Sequence, residues 1–222
     1  MKFGIIGAGF VGKAVAELLI ANNHEVTIAN SRDPKTLFSL MGSLPQAKLG
    51  TVEEACQFAD AIVVAIPLSN IDQLPKQYFA GKLILDANNY YPDRDGAIDV
   101  LDRFESTTSE LLAAHLTQST IVKVFNNIIA SHINRDAKPK GEQKRRALPV
   151  ASDNEQAKKR VMDLIDQLGF DPVDGGKLAD SWRFERSKPA YCFPQNVKEM
   201  EEAMAKATRE QELPYSAWAD VI

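Results

Sequence analysis

The stretch Gly4–Gly12, GIIGAGFVG, decides how the rest of this 222-residue chain is read. Gly7, Gly9 and Gly12 stand in G-x-G-x-x-G spacing, which alone is weak because three such glycines arise by chance. Its surroundings make it specific. An apolar strand, Lys2–Ile6, runs into the glycines, and a helix, Val11–Ile20, starts within them with Val11, Ala14, Val15 and Leu18 on one face. A second strand, Glu25–Ala29, completes a strand–helix–strand unit. In such a unit the first glycine permits a tight turn and the second admits a pyrophosphate to the backbone. The third lets helix and strand pack closely, and the free N–H groups of the helix face the phosphate charge. Gly7, Ala8, Gly9, Phe10, Val11 and Gly12 are therefore the expected cradle of a dinucleotide. The competing reading, an ordinary glycine-rich turn, does not account for the complete unit around it.

Outward from this unit, strand-length apolar runs recur at Ala61–Ile66, Lys82–Asp86 and Thr120–Phe125, with weaker ones at Ala147–Ala151 and near Pro172–Asp174. Helical patterns separate them, which predicts a parallel sheet covered on both faces. TVEE at Thr51–Glu54 and SDNE at Ser152–Glu155 read as capping boxes. The second opens a helix with Ala157, Val161, Leu164, Ile165 and Leu168 on its buried face and Gly169 at its end. Arg135–Arg146, with six basic and two acidic residues, reads as a solvated loop. Asn196–Glu212 reads as a charged helix with a narrow stripe of Val197, Met200, Ala203, Met204 and Ala207. If that stripe cannot reach its own domain, it would pack on a second copy, giving a homodimer through the C-terminal helix. The expected fold class is α/β: a Rossmann-type, doubly wound, mainly parallel sheet. One domain is expected over residues 1–190, with a C-terminal helix and tail over 191–222.

With 45% hydrophobic residues the chain can bury one good core. Its 26 basic and 30 acidic residues give a net charge of −4, which argues against nucleic acid as a partner. Cys56 and Cys192 have no metal-ligand spacing and imply a reducing compartment without a disulfide. No metal site is expected. The N-terminus reads as a strand and not a signal peptide, and no apolar run approaches the roughly 20 residues of a membrane span. The expectation is a cytoplasmic protein acting on a small molecule.

After the second strand, NAD-binding units carry an acid that holds both ribose hydroxyls and would repel a 2′-phosphate. Here the strand ends in Ala29, followed by Asn30, Ser31 and Arg32. Ser31 can donate to a phosphate and Arg32 can grip it bidentately or stack on adenine. Asp33 before Pro34 has a separate explanation as a helix start, running to Leu40, and Lys35 adds positive charge. NADP(H) is the expected cofactor.

Taken in order, GIIGAGFVG, ANSRDP, VVAIP, LILDANN, VKVFNN and GFDPVDGGKLADSWRFE resemble the coenzyme F-420-dependent NADP oxidoreductases and the cytosolic domains of the STEAP metalloreductases. The resemblance runs from about Lys2 to Pro189. It implies NADPH along the carboxyl edge of the sheet and hydride transfer to a flavin or deazaflavin co-substrate. Carried over to this chain, it implies that Gly7 to Val11 hold the pyrophosphate and that Ser31 and Arg32 hold the 2′-phosphate. Ala65, Ile66 and Pro67 would then line the nicotinamide ribose, with Asn88 and Asn126 bordering the reaction centre.

Hydride transfer between rings needs proximity more than acid–base groups, so the lack of a recognisable catalytic constellation is consistent with it. His24 and His115 read as structural, while His132, after the Thr120–Phe125 run, is a candidate for lining the site. Tyr90 and Tyr91 either cover the acceptor ring or pack a loop. Trp182, Phe184, Tyr191 and Phe193 read as core or interface. Two other functions compete: an imine or hydroxy-acid reductase related to pyrroline-5-carboxylate reductase, and a non-catalytic NADPH-binding redox sensor. The first needs a long helical second domain, for which the residues after Pro189 are too few.

Overall fold

The computed structural model describes residues 1–30 and 42–217. Ser31, Arg32 and Lys35, with the Asp33–Pro34 helix start, lie outside the described residues. The strands are β1 Lys2–Ile6, β2 Glu25–Ala29, β3 Lys48–Leu49, β4 Ala61–Val64, β5 Leu83–Asp86, β6 Thr120–Lys123, β7 Ala147–Val150 and β8 Asp171–Asp174. The first six form a sheet in the order β3-β2-β1-β4-β5-β6 with every pair parallel. Such an order reverses direction between β1 and β4, where a doubly wound sheet opens a crevice at its carboxyl edge. β7 and β8 pair parallel, and an antiparallel bridge from Lys123 to Ala151 joins them to the end of β6.

Burial on both faces follows the two-residue period of the strands. Phe3, Ile5, Val63, Leu85 and Val122 face one core, which the helix Phe10–Ala21 and the helix Glu155–Gln167 complete. Ile6, Ile62, Val64, Ile84 and Ile121 face the other, under the helices Val52–Phe58 and Thr108–His115.

β4 and β6 are shorter than the apolar runs Ala61–Ile66 and Thr120–Phe125 suggest. β6 ends at Lys123, and two residues on, at Phe125, the backbone turns to a φ of 64°, a left-handed conformation that redirects the chain. β3 has no apolar run of its own and exists through pairing with Thr27 and Ile28.

The Thr51–Glu54 capping box is present as read. SDNE is not one: Asn154 caps the Glu155–Gln167 helix by accepting from the Ala157 N–H at 2.9 Å, while the Ser152 hydroxyl donates to the Ile121 carbonyl. The basic loop is also only partly solvated. Arg145 is enclosed against Asp166 at 2.9 Å and Asp171 at 2.8 Å, and Arg146 against Asp136 at 3.0 Å. Burial raises the Asp136 carboxyl, but hydrogen bonds from Arg135 and Arg146 outweigh it and hold the group below its ordinary value.

The C-terminal helix spans Val197–Lys206 and lays Met200, Ala203 and Met204 on Ala147, Ala151, Val173 and Phe184. Met200, Ala203 and Met204 of the stripe thus pack on their own chain, while Val197 stays exposed. No helix among the described residues is long and apolar enough to cross a membrane.

Candidate dinucleotide and acceptor site

All six strands of the main sheet end on one edge, and the glycine turn lies there between β1 and the helix Phe10–Ala21. Gly7 has a φ of 112°, and a Cβ on it would stand 2.1 Å from the Ala65 carbonyl oxygen. A Cβ on Gly12 would stand 1.9 Å from the Gly7 oxygen, so this glycine sets how closely helix and strand approach. Gly9 differs: nothing lies within 4 Å of where its Cβ would be. The turn is packed where it meets the protein and open at Gly9, the position expected to admit a pyrophosphate. Beside it Phe10 is 88% exposed, an aromatic ring left outside the core at the same rim.

Ala65, Ile66 and Pro67 follow β4, Asn88 follows β5 and Asn126 follows β6, so the structure brings these expected site residues to one edge. Asn30 lies on the same edge at the end of β2. The strand ends are tied together. The Asn88 side-chain oxygen accepts the Ile66 N–H at 2.9 Å, and Asn89 donates to the Asn126 carbonyl at 2.7 Å. Asn126 donates in return to the Asn89 oxygen at 3.2 Å and to the Phe184 carbonyl at 3.0 Å. Asn88 Nδ2 and Asn126 Oδ1 are buried without a hydrogen-bond partner. A buried polar atom left unpaired costs about 1–3 kcal/mol. A donor and an acceptor are thus left without a protein partner just inside this edge.

A cavity of about 200 Å³ opens at the ends of β5 and β6. Val11, from the glycine turn, forms one side, and Asn89, Tyr91, Asn126, Tyr191 and Cys192 form others; no charged side chain lines it. The Tyr91 and Tyr191 hydroxyls meet at 2.6 Å. Burial pushes the Tyr191 phenol well above its ordinary range and the Cys192 thiol up to about 11, so both stay protonated near neutrality. Tyr191 and Cys192 are 65 or more residues beyond the strands whose ends they meet, and no local pattern marks them. Leu213 of the C-terminal tail packs on them, and Lys188 pins that tail by donating to the carbonyls of Thr208, Arg209 and Gln211.

Beneath the cavity lies a charge cluster that a careful reading of the apolar runs could have flagged. Lys123 is fully buried at the end of β6, with Nζ 3.2 Å from Asp86 Oδ2, 2.6 Å from the Asn88 carbonyl and 2.6 Å from Thr108 Oγ1. Glu185 stands 3.8 Å away and takes the Thr108 hydroxyl at 2.6 Å. The signal was a lysine inside TIVKVF and an aspartate closing LILD, each a charge in a run that is otherwise core.

Other candidates lie elsewhere. Tyr90 turns away from this cavity; its hydroxyl donates within reach of Asp102 at 2.9 Å and the Gly96 carbonyl at 3.0 Å, and accepts from the Ile98 N–H. Trp182 lines a separate hollow with Tyr90, Arg186 and Arg209. Phe184 is core. His132 is buried beside Arg146 and outside the cavity, its pKa lowered by burial and by Arg135. His115 contacts the Leu74 carbonyl at 2.9 Å, and His24 lies edge-on to Phe3.

Comparison with known proteins bears out the resemblance read from the motifs. Residues 2–90 match the family model of NADP oxidoreductases, coenzyme F420-dependent. The mouse metalloreductase STEAP2 is 28% identical over 184 residues, which cover 82% of this chain and 35% of that protein. The chain thus spans about a third of the length of this curated relative. Among solved structures, the hypothetical protein SMa0349 from Sinorhizobium meliloti is 29% identical and superposes with a TM-score of 0.76, over 88% of this chain and 95% of the other. An Arthrobacter protein provisionally named an F420-dependent NADP-reductase superposes at 0.69 with 24% identity, over 80% and 86% of the two chains, and speaks for the fold.

Proposed function

We propose that this chain binds NADP(H) along the carboxyl edge of its sheet and passes hydride between the nicotinamide and a small acceptor held in the Tyr91–Tyr191 cavity. The observation that carries this reading is the reach of that cavity, from Val11 on the glycine turn to Asn126 at the end of β6. A dinucleotide laid over Gly9 runs its nicotinamide half toward the β4–β6 side of such a crevice. Bound there, the nicotinamide supplies the two-electron chemistry. The chain supplies alignment, through the Asn88 and Asn126 carboxamides, and a wall that keeps water from the reacting atoms.

Ser31 and Arg32, with Lys35 nearby, favour NADP(H) over NAD(H) by offering a phosphate-binding pair where an acid would hold a ribose. An uncharged lining rich in aromatic and aliphatic groups suits the flat ring of a flavin or deazaflavin as acceptor. The cytoplasm, with its reduced NADP pool, is the compartment this reading implies. Because one relative is named a metalloreductase, ferric chelates belong among the acceptors to test.

The test is the rate of NADPH oxidation by the purified protein with FMN, FAD, riboflavin, coenzyme F-420 and ferric chelates. Turnover with one of these supports the proposal and names the acceptor class. Tight NADPH binding without turnover on any acceptor would overturn catalysis and leave a nucleotide-binding module.

A further inference from the structure

Hydride reduction of a flavin, deazaflavin or imine consumes one proton besides the hydride, and Tyr91 lies at the cavity where that proton is needed. We infer that Tyr91, held by Tyr191, is the general acid of the site; this rests on the proposed hydride transfer.

Tyr91 and Tyr191 both line the cavity, and their hydroxyls lie 2.6 Å apart. Such a pair carries two protons and needs only one for its shared hydrogen bond. Where Tyr191 donates to the Tyr91 oxygen, the Tyr91 proton is left for a ligand in the cavity. Tyr191 is suited to the supporting role, because burial keeps it neutral.

Two guanidinium groups stand beside the Tyr91 ring. The Arg94 guanidinium lies 4.7 Å from the Tyr91 ring centroid and that of Arg186 lies 5.2 Å from it. Arg94 is fixed by Asp95 at 2.8 Å and by the Asn89 carbonyl at 3.0 Å, so its charge is held in place. Arg186, and Arg94 to the extent that Asp95 leaves its charge uncompensated, would stabilise negative charge developing on the Tyr91 side chain. Tyr90, the neighbouring phenol, cannot serve, since its hydroxyl is engaged with Asp102 and the Gly96 carbonyl.

The step balances. The acceptor gains two electrons and one hydrogen as hydride at its electrophilic atom. The Tyr91 O–H bond breaks as a bond forms from that proton to the acceptor heteroatom that gains electron density: the imine nitrogen, or the ring nitrogen conjugated to the hydride-accepting atom in a flavin or deazaflavin. The phenolate, on the half-buried side of the pair, regains a proton from solvent. The sum is one NADPH, one acceptor and one proton consumed.

The experiment uses the full chain, with riboflavin and, at a pH where it is unprotonated, 2-methyl-1-pyrroline as probes. It measures NADP⁺ affinity, probe affinity in the NADP⁺ complex, and the single-turnover rate from NADPH. Tyr91→Phe is expected to keep NADP⁺ affinity within about twofold and to bind the probe about tenfold more weakly. It should slow hydride transfer by about 10²-fold or more, with partial rescue by added imidazolium. Tyr191→Phe should give a smaller loss, about tenfold. A Tyr91→Phe protein with the wild-type rate and probe affinity would overturn the inference while leaving the hydride-transfer reading standing, as would a loss traced wholly to NADP⁺ affinity. A wild-type protein that neither binds nor reduces either probe would remove that reading, and the inference with it.

Discussion

Lys123 donates to the backbone carbonyl of Asn88 at 2.6 Å, while the Asn88 side chain holds the Ile66 N–H at 2.9 Å. One buried ammonium thereby ties the ends of β6, β5 and β4 together under the site. Removing it leaves Asp86 enclosed without its cation, and breaking a buried pair from one side costs about 3–5 kcal/mol. Lys123→Met should lower stability by that order in urea unfolding. A loss below about 1 kcal/mol would show that the cluster contributes little.

The glycine turn predicts two opposite outcomes. Gly9 has a φ of −77° and open space at its Cβ position, so Gly9→Ala should fold with a nearly unchanged melting temperature and bind NADPH about tenfold or more weakly, about 1.4 kcal/mol. Gly12→Ala would drive a methyl to 1.9 Å from the Gly7 oxygen and should destabilise the fold by about 1–3 kcal/mol. Calorimetry on both variants separates them; equal melting losses would remove the distinction between ligand-facing and packing glycines.

Arg32 is argued from sequence alone. If it grips the 2′-phosphate, Arg32→Ala should weaken NADPH binding by about 1.5–3 kcal/mol, the range for hydrogen bonds to charged groups, and barely change NADH binding. Titration of both nucleotides decides it, and equal losses would refute the assignment.

Both thiols should be inert in the folded protein. Burial raises Cys56 to about 12 and Cys192 to about 11, against an ordinary value of about 8.5. Neither should react with a thiol reagent at pH 8 until denaturant is added. The unfolded chain ionises first as pH rises, so these groups take stability away above about pH 8.5 and increasingly toward their folded values. Rapid labelling of the native protein would contradict the burial.

At the acid end, Asp166 is held below its ordinary value by hydrogen bonds from Lys140 and then Arg145. A lowered carboxyl stabilises the fold above its unfolded value of about 3.9 and ceases to do so as pH falls through the folded one. Asp166→Asn should therefore lower the unfolding midpoint at pH 7 and narrow the gap to wild type at pH 3. A constant difference across that range would rule out this linkage.

The β1–helix–β2 unit, the parallel sheet and the placement of Ala65, Ile66, Pro67, Asn88 and Asn126 at its carboxyl edge were legible in the residue pattern. Glycine spacing and apolar periodicity are local properties, set by backbone sterics and strand geometry, and they survive without knowledge of distant contacts. The same pattern misread what distant contacts decide. SDNE lost its capping box because Ser152 turns to Ile121, and Arg145 left the solvent because Asp166 and Asp171 await it across the fold. The short β3 exists only as an edge added to β2. The same holds for the cavity. Tyr191 and Cys192 come to Tyr91 and Asn126 because the chain after β8 folds back over the sheet edge, where the tail holds it through Lys188. A hydrogen bond between residues 100 positions apart leaves no periodic trace in the chain, so only the tertiary structure could place that pair of hydroxyls beside the glycine turn.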